Sequence, residues 1–225
     1  MNKSEFAELL DHTLLKPEAS RTQIEKLCQE ALEFQFGAVC VPPFWVPVAA
    51  KILKGSLQKI ATVISFPLGN TLTEVKIFET ERVLEAGAQE IDMVMNVGAL
   101  KSGDHDSVLK DIQAVAHHAR KKNETLVKVI LETALLNDSE KIAACQIAAQ
   151  AEADFVKTST GFMGGATIED VKLIHKTVGS KLGIKAAGGI RDLKSAEGMI
   201  RAGANRIGSS QCVAIMKQFL EKYSD

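Results

Sequence analysis

The sequence predicts an α/β fold, a (β/α)8 TIM barrel in a single domain. Short runs rich in Val and Ile alternate with longer stretches of helical period throughout the 225 residues, the pattern of parallel strands joined by crossover helices. Hydrophobic residues make up 46% of the chain, which suits one large core better than two small ones. No Gly-x-Gly-x-x-Gly follows the first strand, and that argues against the rival doubly wound sheet.

The first strand is the weakest, a short run at 9–13 (LLDHT) ahead of the first strong helix. Without it only seven strands remain, and seven do not close a symmetric barrel. The helix after it opens on Ser20 with Gln23 three residues on, the spacing of a capping box. Further strands are expected at 38–41, 60–65, 90–96, 126–132, 153–159, 183–187 and 204–209. Phe36-Gly37, Ala86-Gly87 and Ala202-Gly203 each read as a helix end turning into a strand. Asp192 stands where it would cap a helix beginning at Leu193. Trp45, among Pro42, Pro43 and Pro47, is expected to shape the first long loop, Met93 and Met95 to fill the core, and His117-His118 to lie on a helix surface.

Composition narrows the function. The 27 basic and 28 acidic residues are interspersed, for a formal charge of −1, so no basic arm exists to neutralise a phosphate backbone and nucleic acid is not an expected partner. The chain opens with polar and charged residues through Glu8, and no run approaches the roughly 20 apolar residues that span a bilayer. A cytoplasmic protein with no membrane partner is expected. Cys28, Cys40, Cys145 and Cys212 are scattered without metal spacing or a disulfide framework, so reduced thiols and no metal site are expected.

In this fold chemistry collects at the C-terminal ends of the strands. The sixth and seventh strands each carry a lysine there, Lys157 and Lys185. Adjacent strands lie about 4.8 Å apart, so two inward amines at one height would each disfavour the other's charge. The expectation is a depressed amine pKa and a nucleophile ready to form an imine with a carbonyl substrate. The bland alternative is a lysine that snorkels outward or sits in an ion-pair network. Lys128, lower on the fifth strand, is read as structural near the site. Asp92, a carboxylate inside the apolar fourth strand, fits the group that takes the 3-hydroxyl proton when a carbon–carbon bond breaks beside an imine. Asp11 at the end of the first strand is a weaker candidate of the same type, and His12 beside it reads as a packed histidine. The loops after strands seven and eight carry Gly188-Gly189 and Gly208-Ser209-Ser210, suited to backbone N–H contacts with a phosphate. Thr158 and Gly161 add a hydroxyl and a turn on the same rim.

The runs at 10–17 (LDHTLLKP), 39–43 (VCVPP), 90–98 (EIDMVMNVG), 156–161 (VKTSTG) and 185–189 (KAAGG) resemble those of the deoxyribose-phosphate aldolase family, in order and over nearly the whole chain. The resemblance implies a class I aldolase that interconverts 2-deoxy-D-ribose 5-phosphate with glyceraldehyde 3-phosphate and acetaldehyde, without metal or cofactor. It implies Lys157 as the Schiff-base lysine, Lys185 as the second lysine that activates it, and Asp92 as the acid/base carboxylate that relays a proton with water. By the same motifs Gly188, Gly189, Gly208, Ser209 and Ser210 hold the phosphate, with Asp11, Thr13 and Lys128 close by. Cys40 is a nearby non-catalytic thiol open to attack by reactive aldehydes. The chain departs from the family's pattern in three places. The segment after Phe162 is one residue shorter before Gly164-Gly165, the run Lys185-Ala186-Ala187-Gly188 has alanine where serine or proline is frequent, and Gln211-Cys212 replaces a serine and a glycine. These departures are expected to touch the phosphate rim. Tyr223 lies where some members use a mobile C-terminal tyrosine. The expected partner is a small phosphorylated sugar or aldehyde, with a homodimer left open. Another Schiff-base barrel aldolase or transaldolase, and a non-catalytic phosphosugar-binding barrel, are the alternative readings.

Overall fold

The computed structural model describes residues 1–122 and 125–223. Its elements alternate as expected: α1 (Lys3–Glu8), β1 (Leu10–Thr13), α2 (Arg21–Phe34), β2 (Ala38–Val41), α3 (Val46–Ile52), β3 (Lys59–Ile64), α4 (Thr73–Glu85) and β4 (Glu90–Val94). The second half continues with α5 (Val97–Lys101), α6 (His105–Lys122), β5 (Leu126–Ile130), α7 (Asp138–Gln150), β6 (Phe155–Lys157), α8 (Ile168–Val178), β7 (Gly183–Ala187), α9 (Leu193–Ala202), β8 (Arg206–Ser209) and α10 (Cys212–Tyr223). All eight strands pair in parallel in chain order, and β8 closes on β1.

The strands carry Val and Ile on their outer faces, where the helices cover them. Val39, Val41, Ile91, Val129, Val156 and Ile184 are all buried in one core with helix residues such as Ile24, Ile112 and Ile174. Met93 and Met95 fill that core as expected. Ser20 and Gln23 form the predicted capping box on α2, and Asp192 caps α9 through the Ser195 N–H. Trp45 donates its indole N–H to the Ala19 carbonyl at 3.1 Å, pinning the loop after β2. His12 meets Glu30 at 2.7 Å and packs edge-on against Phe36. No helix among the described residues is long and apolar enough to cross a membrane.

Four strands end before the predicted residue, and each early end has a local cause. Ser65 and Glu132 take left-handed backbone (φ 50° and 57°), a conformation that leaves the strand. Asn96 caps α5 by accepting from the Ala99 N–H. Thr158 turns out of β6, its hydroxyl donating to the Ala187 carbonyl and accepting from the Ala187 N–H. The predicted glycine stops hold after α4 and α9, where Gly87 and Gly203 have φ of 109° and 117°. They do not hold after α2, where Gln35 takes the left-handed position. Gly37 serves a different end, because a Cβ there would lie 2.1 Å from the Glu8 carbonyl oxygen.

Candidate active site

Strand register assembles a charged cluster inside the barrel. Lys157 is the direct partner of Lys185 across β6 and β7, and Lys185 is the partner of Arg206 across β7 and β8. Paired residues of parallel strands face the same way, so three neighbouring strands present a row of cations. The carboxylates come from strands on either flank, Asp11 from β1 beside β8 and Glu90 and Asp92 from β4 beside β5. Lys128 pairs with Asp92 across β4 and β5. Asp92 Oδ2 accepts from Lys157 Nζ at 2.9 Å and from Lys185 Nζ at 2.7 Å, while its Oδ1 accepts from Lys128 at 3.0 Å. Lys185 Nζ also lies 2.6 Å from Asp11 Oδ2. Lys128 continues to Glu90 at 2.6 Å, and Arg206 joins Glu90 (3.1 Å) to Asp11 (2.6 Å) at the foot of the barrel.

The electrostatics correct one expectation. The two lysines do share a height, but Asp92 stands between their amines, and Lys185 is raised above an ordinary lysine rather than depressed. Burial opposes its charge, yet Asp11 and Asp92 outweigh burial. Asp92 is held well below the usual carboxylate range, since Lys128, Lys157 and Lys185 more than offset the penalty of burial. Asp11 is lowered to about 2 for the same reason, with Lys185 and Arg206 as its cations. Lys128 is likewise raised against its burial by Asp92 and Glu90. Cys40, fully buried on β2, has its thiol pushed up by burial, so it is a poor nucleophile at neutral pH.

A cavity of about 470 Å³ opens above the cluster at the C-terminal ends of the strands. Of the seven cluster residues, Lys157 alone lines it. Thr13, Gly161, Gly188, Gly189, Gly208, Ser209 and Ser210 stand in its wall as well. Gly188 and Gly189 both have positive φ, 91° and 77°, and a Cβ on Gly188 would meet the Gly164 carbonyl oxygen at 3.0 Å. The loop after β6 therefore packs directly on the loop after β7, held by the Ala166 N–H donating to the Gly188 carbonyl.

Three expectations about the rim change. Thr158 is fully buried and bonded to Ala187, so it ties two strands together and is absent from the cavity wall. Gln211 lines a neighbouring cavity of about 280 Å³, and Cys212 is buried in the core at the start of α10. Neither lines the cavity above Lys157. Tyr223 donates to Glu197 at 2.9 Å and packs on Phe219 beside Met1. The 12 residues of α10 span about 18 Å and carry it to the far end of the barrel.

Comparison with known proteins adds family to geometry. Residues 7–216 match the family model described as DeoC/LacD family aldolase. The chain belongs to that family. A deoxyribose-phosphate aldolase of Streptococcus gordonii is 58% identical over 209 residues, which is 92% of this chain and 94% of the relative. One of Clostridium perfringens is 55% identical over 216 residues, 96% of each chain. Among solved structures, a putative deoxyribose-phosphate aldolase from Coccidioides immitis superposes with a TM-score of 0.92 at 40% identity, covering 97% of this chain and 87% of that one.

Sequence reasoning missed several residues of this aldolase's site. Glu90 lies two positions before Asp92, on the same strand face by simple alternation, and that signal was available. Arg206 opens β8, and only the register with Lys185 reveals that it turns inward. Lys16 and Arg191 bring two cations to the cavity rim. Arg191 follows Gly188-Gly189 closely enough for a local signal, whereas Lys16 is brought in by the loop after β1. Glu132 is buried after β5, accepting from the Thr160 N–H and hydroxyl, and so shapes the turn that carries Gly161.

Proposed function

We propose that this aldolase reversibly cleaves 2-deoxy-D-ribose 5-phosphate to D-glyceraldehyde 3-phosphate and acetaldehyde through an imine on Lys157, as a cytoplasmic enzyme whose single barrel domain carries the whole activity. The observation that carries the reading is the placement of Lys157, the one amine of the buried cluster that reaches the cavity. Its neutral amine attacks the C1 carbonyl, and loss of water gives a protonated imine. Removal of the 3-hydroxyl proton then breaks the C2–C3 bond. The electron pair flows to the imine as an enamine, and C3 leaves as the aldehyde of glyceraldehyde 3-phosphate. Protonation at C2 and hydrolysis release acetaldehyde and restore the amine. Asp92 is an acceptor at neutral pH but, held by three cations, is a weak base. It suits a carboxylate that orients a relay water between the hydroxyl and the lysines better than one that takes the proton outright.

The phosphate is assigned to the opposite rim. Gly188 and Gly189 offer backbone without side chains, the N-terminus of α10 adds a favourable dipole, and Lys16 and Arg191 supply charge. Replacing Arg191 with alanine is expected to raise KM for the phosphorylated sugar about tenfold, within the range of a charge-assisted contact, with kcat little changed. Such contacts act alike in ground and transition states. Activity on unphosphorylated 2-deoxyribose should stay the same. An equal loss on both sugars in steady-state kinetics would remove Arg191 from the phosphate site.

The decisive experiment is chemical trapping. Borohydride with acetaldehyde should add a stable mass to the peptide containing Lys157, because reduction freezes the imine. An adduct confined to other lysines would overturn the reading. The family match and the relatives named deoxyribose-phosphate aldolase favour this activity over a transaldolase, and the intact Lys157, Lys185 and Asp92 favour an enzyme over a binding protein.

A further inference from the structure

The charged cluster extends well below the part that can touch a substrate. It runs from Lys157 at the cavity through Asp92, Lys128 and Glu90 to Arg206 at the foot of the barrel. Glu90 is 2% exposed and lines neither the cavity above Lys157 nor the neighbouring one. Arg206 bridges Glu90 and Asp11, the latter through both its Nε at 2.7 Å and a terminal nitrogen at 2.6 Å.

The charges of this cluster nearly balance. Asp11, Glu90 and Asp92 contribute three negative charges, and Lys128, Lys185 and Arg206 contribute three positive ones. Lys157 is the seventh member and the only one without a dedicated counter-charge, since Asp92 is shared with two other amines. A buried group of charges is most stable when it is paired and neutral. The cluster therefore tolerates a neutral Lys157 without leaving any carboxylate unmatched.

We propose that Glu90 and Arg206 are positioning residues that never touch substrate and instead set the charge balance of the buried cluster, and so decide over what pH range Lys157 offers a neutral amine. The inference rests on the imine reading of Lys157 given above. Every charged neighbour of Lys157 enters the balance: Asp92 on β4, Lys128 on β5, Lys185 on β7, Asp11 on β1 and Arg206 on β8, with the buried Cys40 thiol on β2 uncharged. On the rim, Lys16, Glu18 and Arg191 face solvent across the cavity, where screening weakens them. Glu132 is engaged by Thr160.

The sign of each change follows from the count. Glu90→Gln removes one negative charge, leaves the cluster positive with a neutral Lys157, and should move the acid limb of imine formation to lower pH. Arg206→Met removes one positive charge, leaves an unmatched carboxylate that a protonated Lys157 can satisfy, and should move the same limb to higher pH. Each shift should be roughly one pH unit, the effect of one charge across a buried cluster at an effective dielectric constant of about 20. Arg206→Lys should restore the wild-type position, and so should the double variant Glu90→Gln with Arg206→Met.

The experiment measures borohydride trapping of acetaldehyde on Lys157 across pH in the full-length protein and these variants. Opposite shifts for the two single variants, with the double variant close to wild type, are the expected result. Variants that lose trapping with an unmoved profile, or that both shift the same way, would overturn the proposal and leave the pair as scaffolding. Glu90→Gln conserves side-chain shape, so its shift alone decides the matter should Arg206→Met fail to fold. If wild-type Lys157 takes no label at any pH, the imine reading fails instead, and the two failures are thereby distinct.

Discussion

Asp92→Asn is expected to lower the rate of cleavage by about 100-fold to 10,000-fold, the range lost when a positioned proton-transfer group is removed. Trapping of acetaldehyde on Lys157 should survive, because imine formation needs the amine and the carbonyl but not the 3-hydroxyl proton. The variant should also be less stable. One carboxylate now answers three buried amines through both of its oxygens, and taking one partner from a buried ion network costs about 3–5 kcal/mol. That loss depends on pH in a defined direction. The folded pKa of Asp92 lies well below its unfolded value, so its contribution is fully present above the unfolded value of about 3.9 and fades as pH falls toward the folded one. Denaturant titrations should therefore show wild type and variant far apart at neutral pH and converging in acid. Near-full turnover in the variant would reduce Asp92 to a charge partner.

Lys185→Met should slow the enzyme at neutral pH by about 100-fold or more and push its activity profile toward alkaline pH. The side chain is fully buried between Asp11 and Asp92, so its loss leaves three carboxylates facing Lys128, Arg206 and Lys157. All three cations are then matched, and Lys157 is held protonated, in the form that cannot attack a carbonyl. Asp11 keeps Arg206 as a partner, which should preserve the fold. A pH–rate profile with trapping at each pH decides it, and an unmoved profile would uncouple the two lysines. Mutual repulsion between adjacent amines predicts the same direction, with Asp92 Oδ2 accepting from both amines between them.

The sequence by itself determined the barrel, the order of its eight strands and most of the residues to which the proposed chemistry is assigned. Those features are local: Val and Ile on buried strands, capping residues such as Ser20 and Asp192, and lysines at the ends of adjacent strands. Strand alternation even placed Lys157 and Lys185 on one face, since a period of two needs no tertiary information. What only the tertiary structure decided depends on closure. Asp11 and Arg206 lie 195 residues apart and meet because β8 pairs with β1, and Glu90 reaches Arg206 only across the barrel interior. Thr158 and Cys212 carry polar atoms in a segment that looks suited to binding. Yet a short strand end and the first turn of a helix direct those atoms to Ala187 and into the core. The sequence shows which residues carry charge, but the sign and size of a buried charge's effect depend on every neighbour within a few ångströms, and those neighbours come from six different strands.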